Sequence, residues 1–241
     1  MLEPPRSYVL CGTPRTGSTL LCGLLRSTGV LGRPESYFRE PDEAAWAARF
    51  GLPAEGGRAR DYRAFVDATR SAGASDNGVF GARIMWGSLG RVVEGLSRVP
   101  GSSDLPILEE ALGPLTFVHL RREDVAAQAV SWCRAEQTGY WQQGDATTQE
   151  PHRDVAQARA LMGRIREHDA AWRAWFGAQG VEPHEVTYEQ LVGDRLRVVR
   201  GIAAELAVEL PGDWRPRSPH GKQADELSRA WADALRASEG R

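Results

Sequence analysis

Cysteine is scarce in this chain: Cys11, Cys22 and Cys133 are the only three among 241 residues. An odd number without metal-ligand spacing does not make a disulfide framework and points to free thiols in a reducing compartment. Cys11 falls in a strand pattern and Cys22 in a helical one, both read as small core residues. Long apolar runs are also missing. No stretch reaches the roughly 18 apolar residues that a membrane span needs, and only Met1 to Pro5 precedes the first strand-like run. Neither a spanning helix nor a signal peptide is expected, and the protein is expected to be cytosolic. Charge of one sign is not in excess: the net charge is −2, which gives no general attraction for nucleic acid. His119, His152, His168, His184 and His220 show no metal spacing. No internal repeat is visible.

What remains is an ordinary globular composition, 41% hydrophobic and 26% charged. A single domain over 1–241 is expected, large enough to bury roughly 70% of its unfolded surface. Strand-like runs at Tyr8–Cys11, Val79–Ile84, Thr116–Leu120 and Glu185–Thr187 alternate with helical patterns. The helices are expected over Ser18–Ser27, Glu43–Phe50, Tyr62–Ala72, Leu89–Arg98, Ile107–Leu112, Val155–Gln179, Leu191–Leu206 and Glu226–Ala237. Asp124 reads as the N-cap of a further helix through Thr138. Pro53–Arg60, Val99–Asp104 and Gln142–Arg153 read as loops, the last as either a substrate-facing lid or a plain surface loop. Alternating strands and helices give an α/β fold, a parallel sheet with helices on both faces. Ligands of such sheets sit beyond the carboxyl ends of the strands, where the loops after Cys11 and Leu120 emerge.

The first of those loops is the informative one. In Gly12-Thr13-Pro14-Arg15-Thr16-Gly17-Ser18-Thr19 the two glycines have the spacing of a phosphate-binding loop, with Ser18 where a nucleotide triphosphatase has its Lys. Such a turn directs backbone N–H groups and a helix dipole at an anion. The missing Lys counts against ordinary ATP or GTP hydrolysis, and Arg15 can supply the cation.

The block Pro14-Arg15-Thr16-Gly17-Ser18-Thr19 resembles the 5′-phosphosulfate loop of sulfotransferases that use 3′-phosphoadenosine 5′-phosphosulfate (PAPS). Further blocks follow in order: Gly32-Arg33-Pro34-Glu35-Ser36-Tyr37-Phe38-Arg39, Gly81-Ala82-Arg83-Ile84-Met85-Trp86, the stretch from His119 to Trp132, Ala135-Glu136-Gln137-Thr138-Gly139, Trp172-Arg173-Ala174-Trp175-Phe176 and Lys222-Gln223-Ala224-Asp225. Together they resemble the bacterial trehalose 2-sulfotransferase family over nearly the whole chain. The resemblance implies a P-loop-like sulfotransferase fold, PAPS as co-substrate, no metal, and a small hydroxyl-bearing acceptor such as a carbohydrate. Relatives form dimers, so a homodimer is an expectation of the same kind.

Sulfuryl transfer rests on positioning and electrostatics, like in-line phosphoryl transfer. The resemblance assigns the phosphosulfate cradle to Arg15, Thr16, Gly17, Ser18 and Thr19, with Arg15 also catalytic. It gives the 3′-phosphate to an Arg after Leu120 together with Ser131. Arg122 is the better match and Arg121 the rival; neighbours leaving a strand point oppositely, so only one is expected to face the ligand and the other to make a surface or sheet-edge salt bridge. Lys222 is matched to a basic residue that touches the cofactor. Glu35 is the base candidate: a carboxylate takes a hydroxyl proton when it lies within hydrogen-bond reach. The family's own base position, aligned without a gap, is Ser36 here. Arg83, in an apolar strand, is read as contacting sulfate, the acceptor, or an acid such as Glu189. His119 is the next base to consider, and Trp86 and Trp141 could stack on a sugar. Two other readings stay open, a P-loop kinase or NTPase and a homologue that binds PAPS without turnover.

Overall fold

The computed structural model describes residues 6–97, 103–141, 145–146, 149–216 and 226–239. In chain order the elements are β1 (Ser7–Gly12), α1 (Ser18–Ser27), α2 (Glu40–Arg49), β2 (Ala54–Glu55), β3 (Arg58–Ala59), α3 (Tyr62–Gly73), β4 (Phe80–Met85), α4 (Trp86–Leu96) and α5 (Asp104–Leu112). They continue with β5 (Leu115–Arg121), α6 (Val125–Thr138), α7 (Val155–Gln179), β6 (His184–Thr187), α8 (Tyr188–Gly193), α9 (Arg195–Glu205) and α10 (Glu226–Glu239). The main sheet has the order β4-β1-β5-β6, and all its pairs are parallel. The chain leaves β1 toward β4 on one side and toward β5 on the other, so a crevice opens at the carboxyl end of β1.

Residues alternate across the sheet, and each face has its own core. Val9, Cys11, Ala82, Ile84 and Phe117 pack beneath α3, α4, α5 and the aromatic end of α7. Leu10, Val118, Leu120 and Val186 pack beneath α1 and α9. A third cluster lies between α6, α7 and α10, around Trp132, Ile165 and Trp231. The Trp172 indole donates to the Gly12 carbonyl at 3.1 Å, which ties α7 to the end of β1.

Three expectations are corrected. The stretch 53–60 contains a two-stranded antiparallel hairpin, turning on Gly56 and Gly57 at φ of 57° and 77°; so short a pair shows no alternation that a sequence could reveal. The helix expected over Leu191–Leu206 is two, because Asp194 leaves helical geometry and its side chain caps the amide of Arg197 at 2.9 Å. Helix α4 starts at Trp86, earlier than expected, and the Trp86 ring packs edge-on against Trp172 at 5.2 Å in the core.

The segment between α1 and α2 covers the outer edge of β4. Arg33 N–H donates to the Gly73 carbonyl at 2.7 Å, and Arg83 N–H donates to the Glu35 carbonyl at 2.9 Å. This close approach needs glycine at position 32, where φ is +69° and a Cβ would lie 2.8 Å from the Gly81 nitrogen. At the opposite edge, Glu185 of β6 pairs with His119 Nδ1 and Arg121 Nε, each at 2.9 Å. Burial raises the Glu185 carboxyl, but these two partners outweigh it and hold the group at about 2.

Gly32→Ala should therefore destabilise the protein by about 1–3 kcal/mol, from left-handed strain and backbone overlap. At about 2–4 °C per kcal/mol for a chain of this size, the loss is readable as a lowered Tm. The Glu185 contribution has a defined pH window. Because its folded value is depressed, its stabilisation is complete above about pH 4.5 and lost as pH falls toward 2. Urea unfolding at stepped pH should show Glu185→Gln losing stability relative to the parent above that window and converging with it below.

Candidate active site

The turn from β1 into α1 is built to bring backbone close to a ligand. A Cβ on Gly12 would come within 2.7 Å of the Leu120 carbonyl oxygen, and one on Gly17 within 2.7 Å of the Tyr188 ring. Gly17 is the N-cap of α1 at φ 85°, it supplies no side-chain cap, and the first turn has no acidic residue. The opening amides of α1 thus have no side-chain acceptor from their own cap, the arrangement that receives anions. Arg15 is also left-handed, at φ 68°, a position that costs a non-glycine residue about 1–3 kcal/mol. Thr16 Oγ1 donates to the Thr13 carbonyl at 3.0 Å and closes the turn.

Helix α6 fixes the turn from the other side. The Gln128 amide donates to Thr13 Oγ1 at 2.7 Å and to the Pro14 carbonyl at 2.8 Å. Three residues on, the Ser131 hydroxyl accepts from Arg15 Nε at 3.0 Å. Arg15 Nη1 also donates to the Trp141 carbonyl. Burial, followed by the nearby charge of Arg122, lowers the Arg15 guanidinium from its ordinary range. Arg122 lies with its guanidinium carbon 4.4 Å from the centre of the Tyr188 ring, and its Nε is buried without a hydrogen-bond partner. The two like charges repel in this partly dry place, and the charge of Asp145 offsets part of that on Arg15. Glu189 steadies the turn that carries Arg122 by accepting from the amides of Glu123 and Asp124, at 3.1 and 3.5 Å.

These groups line one cleft of about 1180 Å³, which Arg15, Gly17, Ser18, Thr19, Arg122 and Ser131 share with Tyr188, Glu189 and the inner face of α10. Asp124 caps α6 and also pairs with Arg236 of α10 at 2.5 Å, so the last helix is fastened as a wall. Arg121 does not reach the cleft; it pairs with Glu185 at the sheet edge. His119 is fully buried, with Nδ1 on Glu185. Trp141 stands at the cleft rim. Lys222, the chain's single lysine, lies outside the described residues.

Glu35 is not brought to the loop hydroxyls. Its carboxylate pairs with Arg26 in the last turn of α1. Ser36 is the residue that faces inward: its hydroxyl accepts from Arg83 Nε at 2.7 Å. Arg83 Nη1 continues to Thr19 Oγ1 at 2.9 Å and Ser18 Oγ at 3.2 Å. Arg83 does not meet Glu189. Sequence reasoning placed Gln128 on the right helix without a role and did not single out Tyr188; a polar residue three positions before Ser131 was the available signal for the first.

The sequence profile of the Stf0 sulphotransferase family matches residues 7–238. The trehalose 2-sulfotransferase of Mycolicibacterium smegmatis is 31% identical over 98% of this chain and 96% of its own. The trehalose 2-sulfotransferase of Mycobacterium tuberculosis is 28% identical over 98% and 97%. Among solved structures, a sulfotransferase domain from the curacin biosynthetic pathway is 17% identical, with a TM-score of 0.49, covering 93% of this chain and 82% of that one. With the profile and a 31% identical relative both spanning nearly its whole length, the chain belongs to the Stf0 sulphotransferase family and is an enzyme, a sulfotransferase.

Proposed function

We propose that the enzyme moves the sulfuryl group of PAPS to a hydroxyl of a carbohydrate or other small metabolite. The observation that carries the donor half of this reading is the meeting of Arg15 and Arg122 in one cleft, with Ser131 on the first and a buried, unpartnered Nε on the second. A second anion beside the loop, the 3′-phosphate, would satisfy the Arg122 Nε and offset the repulsion between the two guanidiniums. PAPS fits the residues present: the glycine turn leaves room for backbone approach, and the uncapped start of α1 offers amides to the 5′-phosphosulfate. PAPS supplies the sulfuryl group when bound. Arg15 holds charge at its oxygens, Ser18 and Thr19 donate to them, and Arg122 with Ser131 anchors the far phosphate.

The carbohydrate half is supported by the two curated relatives, whose names specify trehalose. A cytoplasmic setting is in keeping with three buried, unpaired thiols. No helix among the described residues is long and apolar enough to cross a membrane.

The product 3′,5′-adenosine diphosphate should raise the Tm well above the shift given by 5′-AMP, since binding to the folded state stabilises by about 2.7 kcal/mol at 100 times Kd. Arg122→Ala should erase the difference and Arg121→Ala should preserve it; equal shifts from both nucleotides with the parent chain would refute the two-anion reading. Arg15→Ala should reduce affinity for 3′,5′-adenosine diphosphate by roughly 30- to 150-fold, the scale of a lost charge-assisted bond of about 2–3 kcal/mol. Isothermal titration reads this directly, and unchanged affinity would remove Arg15 from the cradle.

A further inference from the structure

Among the described residues, four carboxylates line the cleft: Asp124, Glu150, Glu189 and Asp233. Three of them are engaged within the protein. Asp124 caps α6 and pairs with Arg236, and Asp233 pairs with the same arginine. Glu189 accepts the amides of Glu123 and Asp124, one on each oxygen. Glu150 is exposed and meets no donor and no cation among the described residues. Its oxygens are open to a ligand. Glu35, expected from the sequence as the base, pairs with Arg26 and does not line this cleft.

The backbone around Glu150 is held although its side chain is free. Gln137, buried in the last turn of α6, fastens the chain on both sides of it. The Gln137 backbone carbonyl belongs to the last four of the helix, which have no partner within it, and it accepts from the Gln149 side-chain amide. The Gln137 side-chain oxygen accepts from the His152 N–H at 3.1 Å. Its side-chain nitrogen donates to Gln157 of α7 at 3.1 Å, so the clamp bears on two helices. The same end of α6 runs on to Trp141, whose carbonyl accepts from Arg15 Nη1. Glu150 thus belongs to the wall that meets Arg15, the arginine assigned to the sulfuryl end of the donor.

We propose that Glu150 is the general base that receives the proton of the acceptor hydroxyl, and that Gln137 is the positioning residue that presents it. This rests on the sulfotransferase reading above and deepens it on the acceptor side. An aliphatic hydroxyl is a poor nucleophile until its proton is drawn off in the transition state, which a placed carboxylate does. As the proton passes from the hydroxyl to the Glu150 carboxylate, the hydroxyl oxygen forms the new S–O bond. The bond from sulfur to the 5′-phosphate oxygen breaks, and its electron pair leaves with 3′,5′-adenosine diphosphate. Glu150 then returns the proton to solvent, to which it is exposed. Such a site serves a weakly acidic hydroxyl, as on a sugar, because a hydroxyl that ionises unaided has no need of the base.

The test gives the full chain PAPS with trehalose, glucose or 4-nitrophenol and quantifies sulfated product and free sulfate by mass spectrometry. The nitrophenol is largely ionised in mildly alkaline buffer and reports transfer without a base; free sulfate reports water as the acceptor. Glu150→Gln should lower sugar turnover and sulfate release by about 100-fold or more, the scale of general-base catalysis. That loss should exceed the loss with 4-nitrophenol at least tenfold. Glu150→Asp, which keeps the carboxylate, should recover part of it. Gln137→Ala should lower sugar turnover at least tenfold, again more than phenol turnover. Titration with 3′,5′-adenosine diphosphate reports folding of each variant and should give Glu150→Gln a Kd within threefold of the parent; the Glu150 variants carry the test if Gln137→Ala does not fold. Equal losses with sugar and phenol, or no loss, overturn the assignment. If the parent does not use the phenol, recovery decides, and an Asp variant no faster than the Gln variant overturns it. A parent chain that binds the nucleotide yet forms neither sulfated sugar nor free sulfate overturns it as well. A parent chain that does not bind the nucleotide overturns the donor reading and this inference with it.

Discussion

One side-chain amide holds the site together. Gln128, buried on α6, donates to both Thr13 and Pro14, and so locks the anion-binding turn to the helix that carries Ser131. The turn itself is under tension: Arg15 is left-handed without being glycine, and Gly12 and Gly17 sit where a methyl group would collide. A backbone in that state keeps its shape only when its surroundings over-determine it. Gln128 from α6, Trp172 from α7 and the Leu120 carbonyl from β5 do so from three directions. The two arginines are then presented at fixed separation in the cleft.

The sheet does the coarse positioning and the loops the fine. Parallel strands deliver the turns after β1 and β5 to one edge. The Glu189 carboxylate then grips the turn after β5 through two amides, while Tyr188 supplies a face for Arg122. The capping box at Thr187 and Gln190 fixes where α8 begins and hence where both residues stand.

Much of this was legible in the chain. The four strands of the main sheet stand out as short runs between helical patterns, and the long helix Val155–Gln179 announces its end with Gly180. The loop was legible because its glycine spacing has a geometric cause. What stayed hidden depends on side-chain direction. Nothing in the sequence distinguishes Glu35 from Ser36 as the inward residue; that follows from the hydrogen bond of the Glu35 carbonyl to β4, which fixes the pleat. Arg83 could equally have met Glu189 until the sheet order put it on the far side of β1. Strand alternation, a local rule, said that only one of Arg121 and Arg122 would face the cleft, and the resemblance, not the alternation, favoured Arg122.

The cleft wall formed by α10 has a consequence for how the enzyme comes into being. Its link from Arg236 to Asp124 spans 112 positions of sequence. The ties that hold the glycine turn reach as far, 115 positions from Thr13 to Gln128 and 160 from Gly12 to Trp172. The contacts that shape the cleft are therefore non-local, and their loop entropy must be met before they return any stabilisation. The pocket is a product of the whole fold, and an intact pocket reports that both ends of the polypeptide have docked.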